Sequence, residues 1–318
     1  MLQLLCKVSS SKVSVFPHVI RNYRPHDFDD YVRLNVEAEK LDPGGRCTSP
    51  KVLGERLGRP SYHPQKDLFI AEVAGKVIGY IDVTPELGIG RVVLECLVHP
   101  QHRRKGLAKE LSYYAIRRAR ELGVQAAHVN IAHDNAAAKN LLSKLGLSPI
   151  RRFFELRLQL SKSRLPDVKH TIILCRHLQC GEEDKLALIQ NRSFVDSWGY
   201  NPNTTEEIVY RVNLSNCSPN DVILASREGE LIGYCWTRIN IGEGASKGQI
   251  YMLGVDPDYR GRGIGKSLLL AGLSYLKSRG VAVVGLTVDS QNTAACALYE
   301  SVGFEISSTT LWYGKVLD

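Results

Sequence analysis

Leu68-Phe69-Ile70-Ala71-Glu72-Val73-Ala74-Gly75-Lys76-Val77-Ile78-Gly79-Tyr80 is matched 154 residues later by Val222-Ile223-Leu224-Ala225-Ser226-Arg227-Glu228-Gly229-Glu230-Leu231-Ile232-Gly233-Tyr234. Each stretch reads as a β-rich run, a turn on glycine and a second strand that opens Ile-Gly-Tyr, which is a hairpin. Outward from it the correspondence continues at an offset of 157. Val98-His99-Pro100-Gln101-His102-Arg103 answers Val255-Asp256-Pro257-Asp258-Tyr259-Arg260, and Asn135-Ala136-Ala137-Ala138 answers Asn292-Thr293-Ala294-Ala295. Lys144-Leu145-Gly146-Leu147 answers Ser301-Val302-Gly303-Phe304. Blocks kept in register over this distance mean two copies of one domain, not a solenoid. The polar, proline-containing stretch 161–167 is the expected linker, giving an N-terminal domain at 1–160 and a C-terminal domain at 161–318.

Each copy reads as a mixed unit. An opening strand and helices lead to the hairpin. A long strand (91–98; 249–255) then runs through a Gly-rich turn into a helix. Another strand (125–131; 281–288), a helix (135–145; 292–302) and a final strand follow. Helical spacing is visible at Leu107, Leu111, Tyr114 and Ala115, and again at Ile264, Leu268, Ala271 and Tyr275. The expected class is α/β (α+β): two tandem domains, each a mixed, mostly antiparallel sheet flanked by helices. The length of 318 residues fits two units of roughly 150.

Composition narrows the function classes. No apolar run approaches the roughly 20 residues of a membrane helix. The short apolar N-terminus lacks a small-residue cleavage site, so a cytoplasmic location is expected. Eight scattered cysteines form no C-x-x-C and read as reduced thiols. Cys175-Arg176-His177-Leu178-Gln179-Cys180 offers soft ligands, but a structural zinc site wants a second pair, so no metal is expected. The net charge of +8 lies in the first half: residues 1–160 hold 25 Lys+Arg against 16 Asp+Glu, and residues 161–318 hold 16 against 17. Such a surface suits a polyanion or a phosphorylated cofactor. No aromatic platform or nucleic-acid motif accompanies it, so nucleic acid is an unlikely partner by this reading.

The turn Arg260-Gly261-Arg262-Gly263-Ile264-Gly265-Lys266 carries the first chemistry. Glycines let a backbone approach a ligand closely, and the N–H groups at a helix start cradle phosphate oxygens. The flanking cations make a pyrophosphate the natural guest. The spacing fits neither a P-loop nor a dinucleotide fingerprint. The turn recurs at Arg103-Arg104-Lys105-Gly106-Leu107-Ala108-Lys109.

These residues together resemble the GNAT N-acetyltransferases: R-x-x-G-x-[GA] after a strand ending Val-x-Pro, then an Asn-x-x-Ala helix, a tyrosine and Gly-Phe. The resemblance covers nearly the whole chain twice, and the tandem arrangement is similar to the mycothiol synthase branch, notably at 249–257, at Asn191-Arg192-x-Phe194 and at Trp236-Thr237-Arg238. It implies acetyl-CoA as donor, with pantetheine along Leu253, Gly254 and Val255, pyrophosphate on the amides of 260–266, and Asn292 beside it. The matching positions of the first copy are Cys96, Leu97 and Val98 with 103–109. It implies Tyr299 as the general acid at the CoA sulfur. Acceptor contacts fall to Gln249, Thr287 and Arg238, the last holding an acidic group.

Two departures follow. The first copy has Leu142 where the second has Tyr299, so it keeps a phosphate cradle without the acid, and its Glu95 reads as structural or solvent-facing. Where the branch carries a glutamate base, this chain has Gln249, which leaves the base open between water relayed from Glu243, Asp289 or Tyr251 and an acceptor that is already neutral. The functional expectation is an acetyl-CoA-dependent N-acetyltransferase acting on a small-molecule or peptide amine. The alternative is a non-catalytic acyl-CoA-binding or regulatory module.

Overall fold

The structure, a computed structural model, describes residues 18–43, 48–161, 165, 174–240 and 247–317. The first copy runs β1 (Val19–Asn22), α1 (Phe28–Leu41), α2 (Pro50–Leu57), the single turn α3 (Pro64–Asp67), β2 (Leu68–Val73), β3 (Lys76–Glu86), β4 (Arg91–Val98), α4 (Leu107–Glu121), β5 (Ala126–Ala132), α5 (Ala136–Lys144) and β6 (Ser148–Gln159). The second repeats it with β7 (Leu174–His177), α6 (Glu183–Phe194), α7 (Thr205–Val212), β8 (Val222–Arg227), β9 (Glu230–Asn240), β10 (Lys247–Val255), α8 (Ile264–Ser278), β11 (Val283–Asp289), α9 (Thr293–Glu300) and β12 (Glu305–Val316).

The hairpins read from the sequence are present and alike. β2–β3 turns on Ala74 and Gly75, at φ 48° and 77°, and β8–β9 on Glu228 and Gly229, at φ 55° and 87°. Two successive left-handed residues make the type of turn whose twist suits a tight hairpin. Each hairpin also slips register at the same place, after Ala71 and after Ala225.

The two copies share one sheet of 12 strands in the order β1-β2-β3-β4-β5-β12-β6-β11-β10-β9-β8-β7. The pairings are antiparallel except β4–β5 and β10–β11. The final strands are exchanged: β12 pairs with β5 of the first copy, and β6 pairs with β11 of the second. The cores follow. Leu156, Leu158 and Leu160 are buried among Leu268, Leu273, Val284 and Leu286 of the C-terminal copy. Tyr313 is buried with Ile131, Leu142 and Leu147 of the N-terminal copy. A buried leucine contributes about 1.5–3 kcal/mol, so each copy draws a large share of its stability from the other's last strand.

On one face of the sheet α4 and α8 bury the stripes expected of them, Leu107, Leu111 and Ala115, and Ile264 and Leu268. α1–α2 and α6–α7 cover their own parts of the opposite face, with Leu34 and Leu53 under the first pair and Ile208, Tyr234 and Trp236 under the second. Within each parallel pair the strands part. β10 meets β11 only at Lys247–Gln249 against Val283–Gly285, and β4 meets β5 only at Arg91–Leu94 against Ala126–Val129. Beyond those points each pair is a wedge.

The exchange has a consequence for folding. Residues 162–318 alone lack the strand between β11 and β12 and also β5, leaving β11 with one unpaired edge and β12 with two. Expressed alone they should elute as aggregate in size-exclusion chromatography, and co-expressed with 1–161 they should elute as a one-to-one complex. A monodisperse, native-like 162–318 fragment would contradict this.

Candidate functional site

The C-terminal wedge presents the inner edge of β10. Leu253, Gly254 and Val255 pair on their other side with Cys235, Tyr234 and Gly233, so only the β11 side of this segment is open. Gly254 is required by packing: a Cβ there would lie 2.8 Å from the Cβ of Ser193, on α6. At the wide end the chain turns through Gly261 (φ 75°) and Gly263 (φ 80°) into α8. A Cβ at either would meet nothing within 4 Å, so these glycines serve backbone conformation beside open space. Gly263 is the N-cap and has no side chain to cap with. The amides of Ile264, Gly265 and Lys266 therefore open the helix without intrahelical acceptors, which is the arrangement that binds anions. The residues fit an elongated ligand ending in a pyrophosphate.

Not every expected contact points there. Arg260 donates to the Val255 carbonyl at 3.3 Å and to the Ser193 carbonyl at 2.8 Å, so its guanidinium ties the strand end to α6. Arg103 does the same in the first copy, to Val98 at 3.1 Å and to Asp42 at 2.7 Å. Asn292 Oδ1 caps α9 by accepting from the Ala295 amide at 3.1 Å, as Asn135 does from Ala138 at 3.0 Å. Arg262, over the Tyr259 ring at 5.4 Å, and Lys266 remain as the cations of the turn. In the first copy Gly106 takes the N-cap at φ 85°, but Arg104 holds φ 64° where the second copy has Gly261. A non-glycine residue in that region costs roughly 1–2 kcal/mol.

Tyr299 is buried and sits edge-on to Phe304 at 5.8 Å. Burial pushes its phenol well above the ordinary range, so it keeps its proton at neutral pH. Leu142, its counterpart, is simply core. Gln249 pairs across the sheet with Arg238 on β9 and Gly285 on β11. Thr287 lies exposed two residues on, directly opposite Glu155 of β6. Of the open candidates for a base, Asp289 is held by Arg151 at 2.7 Å, Tyr251 lies under the Arg238 guanidinium at 3.3 Å, and Glu243 falls outside the described residues.

Glu155 is the residue that sequence reasoning missed. It belongs to the first copy, and only the strand exchange sets it opposite Thr287 of β11, with β11 between it and the wedge. It is half-buried and accepts from the Ser308 hydroxyl at 2.7 Å. No local signal marks it, because its position depends on which strand β6 pairs with.

The corresponding face of the first copy is filled. Trp198, from the α6–α7 loop, stacks on His128 at 5.8 Å and packs on Trp312 at 5.7 Å and Phe153 at 5.9 Å. Arg91 lies over Trp198 at 5.6 Å and donates to the Gly199 carbonyl at 2.7 Å. Strand register places Gly285 where the first copy has His128, and Glu155 where it has Trp312. One copy is thus plugged by aromatics where the other is open and polar. Asn191 pins the plug: its side chain bonds the Tyr200 hydroxyl and both the amide and carbonyl of Asn203, each at 2.9 Å. Arg192 locks α6 to Asp256 at 2.6 Å. Glu95 pairs with Arg56 at 2.6 Å. Among the described residues no three metal-ligating side chains cluster, and no helix is long and apolar enough to cross a membrane.

A wedge in a parallel strand pair above an uncapped, amide-lined helix start makes an α/β fold with a slot for an extended, phosphate-bearing ligand. The family model described as "Acetyltransferase (GNAT) family" matches residues 39–147 and 186–304. A mycothiol acetyltransferase of Paenarthrobacter aurescens (strain TC1) is 33% identical over 244 residues, 74% of this chain and 74% of its own. Another, of Stackebrandtia nassauensis, is 29% identical over 301 residues, 90% of this chain and 98% of its own. A solved tandem GNAT protein from the clavulanic acid biosynthesis pathway superposes with a TM-score of 0.73 at 17% identity, over 95% of this chain and 99% of that one. The chain belongs to the acetyltransferase (GNAT) family and is an acyltransferase.

The plug carries a pH signature. Burial and the Arg91 guanidinium lower His128 to about 4. The folded state therefore refuses a proton that the unfolded state takes up below about 6.5. Stability is unaffected by this group above that pH and is lost as pH falls from 6.5 toward 4. His128→Phe should show a smaller drop in urea midpoint between pH 7 and pH 5 than the native chain. Equal drops would show that His128 is not the group responsible.

Proposed function

We propose that the protein transfers the acetyl group of acetyl-CoA to a primary amine of a small polar acceptor, with the chemistry in residues 161–318. The observation that carries this reading is a conjunction found in one copy only. The C-terminal wedge joins an amide-lined turn, a buried phenol at Tyr299 and an uncovered polar face. The N-terminal copy keeps its wedge and turn but has Leu142 and the Trp198 plug, and we read it as a CoA-binding support without turnover. Relatives named for mycothiol acetylation favour a small-molecule amine. Gln249, in place of the branch's glutamate, leaves the particular acceptor open.

In this reading the pantetheine lies along Leu253–Val255 and the pyrophosphate on the amides of 264–266, with Arg262 and Lys266 adding charge. Amides of the open β10 edge point at the thioester oxygen and stabilise the charge that develops there. The neutral amine nitrogen attacks the carbonyl carbon and the C–S bond breaks. Tyr299 donates its proton to the departing sulfur and is reprotonated from solvent. The nitrogen, positively charged once it has attacked, gives its extra proton through water to Glu155, which takes the place that Gln249 cannot fill.

Tyr299→Phe should lower kcat by roughly 10²–10⁴, with CoA affinity measured by calorimetry unchanged. Full kcat at saturating acceptor would make the tyrosine structural only. Glu155→Gln should lower kcat/KM by a comparable factor, and adding Gln249→Glu should recover part of it, because Gln249 stands on β10 where the wedge opens, two strands from Glu155. No effect of Glu155→Gln on the pH–rate profile would remove Glu155 from the proton path.

A further inference from the structure

A second cavity lies between the copies, on the acceptor side of the sheet. It measures about 390 Å³ and is walled by α2 and the end of β3 from the first copy, and by α7, Arg238 and Tyr251 from the second. Four arginines reach it: Arg56, Arg59, Arg211 and Arg238. Two are neutralised within the fold, Arg56 by Glu95 at 2.6 Å and Arg59 by Asp82 at 3.1 Å. The three carboxylates in its wall are committed elsewhere. Glu55 accepts from Ser215, Glu86 from Arg91, and Glu207 from the Thr204 amide in a helix cap. Among the described residues Arg211 and Arg238 have no carboxylate within 4 Å.

The wall is also short of polar partners. Two residues of the wall, Asn201 and Arg238, hold buried polar atoms without a hydrogen bond, Oδ1 and Nε. A third, Tyr62, has its hydroxyl beside the Asp82 carboxylate. A buried unsatisfied polar group is destabilising, so Asn201 and Arg238 gain from a small shift that lets a ligand in the cavity reach them. Arg238 is held rigid for that task by stacking on Tyr251 at 3.3 Å. It also stands beside Gln249 in the sheet, so a molecule anchored here extends over the wedge toward Glu155.

We propose that this cavity binds an anionic group, carboxylate or phosphate, carried by the acceptor itself. Arg211 and Arg238 supply the charge, and Asn201 accepts from a neighbouring hydroxyl or amide of the same molecule. The acceptor class is then a primary amine bearing an acid some distance from the nitrogen, with the acid at β9 and the nitrogen over β10–β11. The choice of acceptor rests on the acetyltransferase reading; the anion site does not.

The test uses the full chain saturated with CoA, so that both phosphate cradles are filled. Calorimetric titration with inorganic phosphate and, separately, with acetate should show one site. Its affinity should fall more than about tenfold in Arg211→Gln and in Arg238→Gln. Release of CoA is then compared for glucosamine against glucosamine 6-phosphate, and for glycylglycine amide against glycylglycine. The anionic member of one pair should have the higher kcat/KM, which separates a phosphate from a carboxylate, and Arg211→Gln should collapse the ratio. No binding of either anion to the native chain, or binding indifferent to both arginines, overturns the site, whatever the activity. Anion binding that is lost in both variants, with no CoA released from any amine, upholds the site and counts against the acetyltransferase reading.

Discussion

β11 is hydrogen-bonded along its whole length to β6, from Val283 opposite Gln159 to Asp289 opposite Phe153, but to β10 only over its first three residues. β10 is likewise committed to β9. Each strand keeps the hydrogen bonds of its outer side, so the inner pair can part and leave its facing amides and carbonyls open to a ligand. The wedge is thus held by strands anchored on their outer sides. The outer partner that decides it for the C-terminal copy is a strand of the N-terminal one. The C-terminal wedge, the position of Glu155 and the shared cavity all depend on that exchange.

Much of this was legible in the sequence. The repeat, both hairpins, the glycines before α4 and α8, and the helix carrying Tyr299 stand where the residues placed them, since each is set by local chemistry: a left-handed turn, a missing Cβ, a 3.6-residue stripe. Pairing partners were not legible. β6 and β12 carry the same alternation whichever copy they serve, so the exchange and the position of Glu155 required three-dimensional information. Side-chain direction was likewise out of reach. Arg260 and Arg103 lie in the cradle motif yet reach back to carbonyls, and Asn292 spends its oxygen on a helix cap.

The copies have diverged in the way gene duplication permits. The N-terminal copy retains the backbone of the site, at the expense of a left-handed Arg104, and has given its acceptor face to packing. Trp198 arrives from the other copy to fill it, and Gly199 is needed beside it because a Cβ there would lie 2.5 Å from Arg91. A plug shared between copies packs the centre of the sheet next to the C-terminal wedge. The degenerate copy therefore contributes a strand, a carboxylate and half a cavity wall to the copy that remains open.

The asymmetry between the two wedges is the central claim, and one paired measurement tests it directly. Gly263→Glu and Gly106→Glu put the same carboxylate at the same left-handed N-cap, at φ 80° and 85°, so their backbone costs are alike, with Glu110 Oε1 3.9 Å from the added Cβ at 106 as the one difference. With acetyl-CoA and one acetylated amine, Gly263→Glu should abolish turnover and Gly106→Glu should leave it close to that of the native chain. Loss of turnover in Gly106→Glu with retention in Gly263→Glu would assign the chemistry to the other copy and contradict the account.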